Sequence, residues 1–149
     1  MRKAGKMERV TLNAVGDFIL HAKEQTHDDP FEFVYDELGK CDLLFGNNET
    51  VLTARTKQFF QKAYSIRSPR ASADYLVKAG FDIVHLANNH IFDFGVDGVR
   101  DTLDELAGRS IAHLGVGLSE AEAAAHVVIE KNWLHVGFIG VGNCEKRIE

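Results

Sequence analysis

With 149 residues, 45% of them hydrophobic, the chain can bury one sizeable core but scarcely two, so a single domain over 1–149 is expected. A net charge of -5, with the 17 Lys and Arg scattered rather than clustered, lacks the basic patch of a nucleic-acid binder. Cys41 and Cys144 have no C-x-x-C spacing and read as reduced thiols. The apolar stretch after Arg9 is strand-length and interrupted by Asn13 and Asp17, which fits neither a signal segment nor a membrane span. These features together predict a soluble, cytoplasmic chain with no membrane segment and no nucleic-acid partner.

In chain order, Val10 to Val15 is predicted as a first strand leading into Gly16-Asp17. Pro30 to Leu38 is a helix candidate, with Asp28 or Asp29 available as a cap. Cys41 to Phe45 forms a second strand that empties into Gly46-Asn47-Asn48-Glu49-Thr50, and Val51 to Ser65, without a clear period, reads as a long loop. Ser68-Pro69 opens a helix to about Ala79, with Gly80 as its C-terminal cap. The run Phe81 to Ala87 is a buried third strand. Asp97 to Ala107 carries Val99, Leu103 and Leu106 at helical spacing until Gly108 stops it. Ile111 to Val116 is a fourth strand, Ser119 to Ala125 a short helix, and Val127 to Ile129 with Leu134 to Ile139 a hairpin around Lys131-Asn132. Such alternation predicts an α/β fold, a parallel or mixed sheet flanked by helices.

Three strands end in polar clusters: Gly16-Asp17, Asn47-Asn48-Glu49 and Asn88-Asn89-His90, the last followed by Asp93. In a parallel sheet these ends share one edge, the place where ligands bind in open α/β sheets. Carboxylate, amide oxygen and imidazole suit a divalent metal such as Mn, Fe, Zn or Mg. A metal there would lower the pKa of a bound water and clamp a phosphoryl or acyl oxygen.

The motifs Gly16-Asp17-Phe18-Ile19-Leu20, Asp29-Pro30-Phe31, Asn47-Asn48-Glu49-Thr50, Leu86-Ala87-Asn88-Asn89-His90, Asp93-Phe94-Gly95 and Asp101-Thr102-Leu103 resemble the CapA family, from about Val10 to Gly140. That family is linked to poly-gamma-glutamate capsule synthesis and related to the calcineurin-like metallophosphoesterases. The resemblance implies a layered metallophosphatase-like fold, of which this chain would be the amino-terminal half, a single partial domain. It implies a metal-dependent hydrolase or transferase in which Asp17, Asn47, Glu49 and Asn89 are metal residues, Glu49 being preferred over Asn47 within N-x-E. His90 would then handle a proton or steady the transition state, with Asp93 orienting it.

The chain departs from the superfamily in carrying Ile19 where a histidine is usual. It also stops at Glu149, before the late histidine-containing elements that the resemblance leads one to expect, so metal could be absent from this form. Phosphate esters and gamma-glutamyl amides are both conceivable substrates, and relatives of full length could be membrane-associated or exported. The alternative is a non-catalytic component that binds the polymer or another subunit, or an inactive fragment whose open sheet edge promotes a homo-oligomer. The acidic charge counts against direct capture of a polyanion.

Plainer roles are expected for several residues. Asp17 could serve only as a cap or turn residue, and Asn88 could satisfy backbone groups in a tight turn. His85 and His113 are expected to be packed or hydrogen-bonded within strands, His21 and His27 to lie in a solvated loop, and His126 and His135 at strand edges or on the surface. Asp97, Arg100, Asp101, Asp104 and Glu105 are expected to form a solvated helix face, with pair energies of ~0.3 kcal/mol.

Overall fold

A computed structural model describes residues 9–20, 29–59 and 63–142. Asp28, His21, His27 and Cys144 lie outside the described residues. The main sheet has four strands: β1 (Leu12–Phe18), β2 (Leu43–Asn48), β5 (Ile83–His85) and β6 (Ala112–Leu114). They are parallel throughout, in the order β1-β2-β5-β6. Each new strand is added on the same side of the last, and right-handed crossovers then place the connecting helices on one face. Those helices are α1 (Tyr35–Leu38), α2 (Ala73–Ala79) and α3 (Gly95–Ala107). Leu38, Leu76, Val99 and Leu106 from the helices join Leu44 and Val84 from the sheet in one core cluster. The predicted α/β architecture, a parallel sheet flanked by helices, is the observed one.

Gly80 ends α2 in the left-handed conformation at φ 81°, its N–H returning to the last turn, as the glycine at that position predicts. The predicted helix from Pro30 shortens to Tyr35–Leu38 behind a series of turns. Its entry is held by Asp29, which accepts from the Phe31 N–H at 3.0 Å, the Tyr35 hydroxyl at 2.5 Å and the Lys78 ammonium at 2.7 Å. Burial pulls the Asp29 carboxyl upward, but those three donors outweigh it and hold it below the usual carboxylate range. Burial and the bond to Asp29 push the Tyr35 phenol up to about 12.

The predicted loop after Val51 contains a short parallel pair, β3 (Val51–Leu52) with β4 (Arg67–Ser68), and a 3-10 turn (Arg70–Ser72) precedes α2. The acidic face of α3 is less solvated than its sequence suggests. Asp101 and Glu105 keep only 14% and 15% side-chain exposure because Arg55, Arg70 and Arg109 close over them.

The short helix α4 (Glu120–Ala123) begins at Ser119, whose side chain caps the Glu122 N–H. The chain ends in the hairpin β7 (Val127–Lys131) and β8 (Leu134–Phe138). Its turn uses Asn132 and Trp133, both at positive φ, so the reversal sits one residue later than Lys131-Asn132. The hairpin lies along the face opposite the helices: Phe138 stacks on Phe45 of β2 with centroids 5.9 Å apart. At its tip, Asn132 donates to the Arg9 carbonyl and to Asp42 at 3.2 and 3.1 Å.

Near the carboxyl end of the sheet, Gly115 takes φ 81°, and a Cβ there would lie 2.6 Å from the Ala87 Cβ. Gly115→Ala is therefore expected to cost about 2 kcal/mol through backbone strain and crowding. A urea midpoint equal to that of the parent would refute the close approach at Ala87.

Candidate functional site

β1 and β2 each run three residues further toward their polar ends than the hydrophobic pattern predicts, so Asp17, Asn47 and Asn48 belong to strands. Side chains at that edge satisfy one another, which lets backbone pairing continue past the last apolar residue. Asn47 is in register with Asp17 on one side and with His85 on the other. An irregularity in β1 makes this possible. Ala14 pairs with Phe45, yet it is Asp17, three residues on, that pairs with Asn47, two residues on. The extra residue on β1 turns Asp17 to the face of Asn47; an unbroken ladder would have put Gly16 there and Asp17 on the opposite face.

Around this register Asn47 is the hub. Its Nδ2 donates to Asp17 Oδ1 at 2.7 Å. Its Oδ1 lies 3.2 Å from the Asn88 Nδ2 and 3.2 Å from the His85 Nδ1. The oxygen through which Asn47 would reach a metal is thus engaged by two neighbours. Asn88 also donates to the Asn48 carbonyl at 2.8 Å and accepts from the His90 N–H at 3.1 Å, so it latches the turn after β5 onto β2. Glu49 follows β2 directly, with its N–H bonded to the Phe18 carbonyl at 3.1 Å, and is half-buried beside the end of β1. Thr50 completes this corner, its hydroxyl accepting from the Leu20 N–H at 2.8 Å.

The second part of the site is the turn after β5. His90 Nδ1 lies 2.8 Å from Asp93 Oδ2, and Asp93 is fully buried. The same carboxylate oxygen accepts from the Ile66 N–H at 2.8 Å, while the Asp93 carbonyl accepts from the Phe59 N–H at 2.9 Å. The segment after β3 therefore folds back to clamp the residue that orients His90. A carboxylate in this position makes Nδ1 the protonated nitrogen, so Nε2 is the ring atom able to accept or deliver a proton. Asn89, one residue before His90 on this turn, is exposed.

The structure thus joins Asp17 to Asn47 and His90 to Asp93, while Glu49 follows the end of β2 and Asn89 precedes His90 on the turn. Among the described residues no three His, Cys, Asp or Glu side chains converge as a metal-binding group. The donors fit a divalent ion in kind, as carboxylate, amide and imidazole, but they do not form a complete cage.

Sequence reasoning placed His85 only as a packed or hydrogen-bonded strand residue. The signal that could have found it is its spacing from Ile83, which puts an imidazole on the face of the sheet opposite the helices. Ile66 left no signal, because it contributes only a backbone N–H. His113 on β6 is half-buried, and burial makes its imidazole harder to protonate, with the nearby Glu122 and the Val116 backbone offsetting part of the effect. Its folded pKa is depressed, so its contribution to stability is present above about pH 6.5 and is lost as the pH falls through the folded value. His113→Gln is expected to flatten the decline of the urea midpoint below about pH 6.5, and an unchanged slope would refute this.

No helix among the described residues is long and apolar enough to cross a membrane. A profile of the family described as Bacterial capsule synthesis protein PGA_cap matches residues 11–148. The chain is 35% identical over 127 residues to an uncharacterized protein of Sinorhizobium fredii (strain NBRC 101917 / NGR234), covering 80% of this chain and 27% of the relative. It is 28% identical over 142 residues to the capsule biosynthesis protein CapA of Bacillus anthracis, covering 89% of this chain and 34% of that protein. With the PGA biosynthesis protein CapA of Bacillus subtilis (strain 168) the identity is 29% over 146 residues, covering 86% and 38%. The chain therefore spans about a third of the length of the curated relatives it matches. A match that takes in the polar strand ends and the turn after β5 places this chain in the bacterial capsule synthesis protein PGA_cap family.

Proposed function

We propose that this chain carries the amino-terminal part of a metal-dependent hydrolase or transferase acting in poly-gamma-glutamate capsule synthesis. The names of the Bacillus relatives supply the process, and the edge of the sheet supplies the chemistry. The observation that carries the reading is the meeting of Asp17 and Asn47 in register at the carboxyl end of a parallel sheet, with the His90–Asp93 pair on the following turn. In this reading Asp17, Glu49 and Asn89 hold a divalent metal, and the rest of a longer protein contributes further donors. Bound there, the metal supplies Lewis-acid activation of a water and of a phosphoryl or acyl oxygen. Asn47 fixes the direction of the Asp17 carboxylate. His90, oriented by Asp93, transfers a proton through Nε2 at the leaving group or the developing charge.

Elemental analysis of the purified chain after loading with Mn²⁺ or Zn²⁺ tests the metal role. Stoichiometric metal in the parent and its loss in Asp17→Ala are expected. Equal metal content in the two proteins would overturn the assignment of Asp17.

A further inference from the structure

The segment after β3 and the start of α3 enclose a cleft of about 560 Å³, within the size range of small-ligand sites. The segment supplies Arg55, Thr56, Lys57, Gln58 and Phe59, and the helix end supplies Phe94 and Asp97. Arg55 is committed within the fold, paired with Asp97 at 3.2 Å and with Asp101 at 3.1 Å. Lys57, by contrast, is exposed and has no acidic partner among the described residues. The cleft thus carries an uncompensated positive charge on a chain of net charge -5. Phe59 provides an apolar surface in the same cleft. A Cβ on Gly95 would lie 2.9 Å from the Phe59 ring, so the ring packs onto the first residue of α3, yet 52% of Phe59 is exposed. Thr56 and Gln58, both exposed, add a hydroxyl and a side-chain amide that can donate and accept. The cleft abuts the turn that carries His90: the Phe59 N–H donates to the Asp93 carbonyl at 2.9 Å, and Phe94 follows Asp93 in sequence.

We propose that this cleft binds a gamma-linked glutamyl chain, with Lys57 holding the α-carboxylate of one residue next to the His90–Asp93 pair. Each gamma-glutamyl unit consists of a carboxylate, two methylenes and an amide. Lys57 matches the first, the Phe59 ring the second, and Thr56 with Gln58 the third. A phosphate group, with its larger negative charge, would call for more than one unpaired cation. The cleft therefore selects gamma-glutamyl amides over phosphate esters as the substrate class. This rests on the poly-gamma-glutamate reading above, though not on a bound metal.

The test is titration of the intact, ¹⁵N-labelled chain with gamma-linked tetraglutamate, without added metal, followed by backbone amide shifts. Shifts are expected at residues 56–59 and 94–97, with the affinity lowered about 10-fold by Lys57→Gln and restored by Lys57→Arg. The same oligomer with its α-carboxylates amidated should bind as weakly to the parent as to Lys57→Gln. Equal affinity of the charged oligomer for the parent and Lys57→Gln, equal binding of the amidated oligomer, or shifts confined to other parts of the chain overturns the proposal. Displacement of the oligomer by an equal concentration of inorganic phosphate makes the cleft a general anion site and overturns it too. An oligomer that fails to bind a chain taking up Mn²⁺ or Zn²⁺ through Asp17 overturns the cleft and leaves the metal-dependent reading standing. Oligomer bound at the cleft of a chain that takes up no metal does the reverse, and failure of both overturns both.

Discussion

Asp93→Ala is expected to lower stability by about 3 kcal/mol, the effect of opening a buried, fully hydrogen-bonded carboxylate site. Asp93 is entirely buried, and one of its oxygens holds both His90 Nδ1 and the Ile66 N–H. Alanine leaves that amide without its acceptor and frees the segment after β3 from the turn after β5. A buried donor stripped of its partner costs about 1–3 kcal/mol by itself, and the imidazole loses its charged neighbour as well. Urea unfolding with an unchanged slope and a lowered midpoint would report this, and a loss below about 1 kcal/mol would show that the clamp is not structural. Asp93→Asn separates two roles. An amide oxygen placed where Oδ2 stood can still accept from both the Ile66 N–H and His90 Nδ1, so most of the stability should remain while the negative charge beside the imidazole is lost.

His90→Asn in a catalytically active form is expected to slow turnover by about 10²- to 10⁴-fold, the range for loss of a positioned proton-transfer group. Asparagine places a nitrogen near the position of Nδ1, so the bond to Asp93 can persist and the fold should be spared. Nothing then stands in for Nε2. Circular dichroism and metal content should match the parent while kcat falls; unchanged turnover on both phosphodiesters and gamma-glutamyl peptides would remove His90 from the mechanism. Asp93→Asn should show part of the same kinetic loss, because the ring keeps its orientation but loses the carboxylate charge that stabilises the imidazolium. A lowered kcat in Asp93→Asn, with stability near that of the parent, would identify Asp93 as the residue that supports His90.

Much of the architecture was legible in the amino-acid sequence because its signals are local. Apolar runs closed by Gly80 and Gly108, the helix start at Ser119 and the turn at Asn132 mark element ends through backbone preferences that act within a few residues. β1 and β2 extend beyond their apolar residues, since Asp17 and Asn47 bond to each other across the edge, whereas β5 and β6 are shorter than the apolar runs Phe81 to Ala87 and Ile111 to Val116. The helix predicted from Pro30 is also shorter than its sequence suggests. Asp29 spends its oxygens on Phe31, Tyr35 and Lys78, and so holds a turn rather than starting a regular helix.

By itself the sequence determined that a parallel α/β sheet would present carboxylate, amides and imidazole at one set of strand ends, because residue type and hydrophobic period suffice for that. It determined the i, i+3 pairing of His90 with Asp93 as well, since both sit on one turn. Only the tertiary structure decided that Asp17 faces Asn47, because one extra residue in β1 reverses which side of the sheet it occupies. Only the fold could bring His85 to Asn47 and the Ile66 N–H to Asp93, from 38 and 27 residues away. Those contacts depend on lateral register and on where a long connection returns, and such quantities are set by packing rather than by neighbours along the chain.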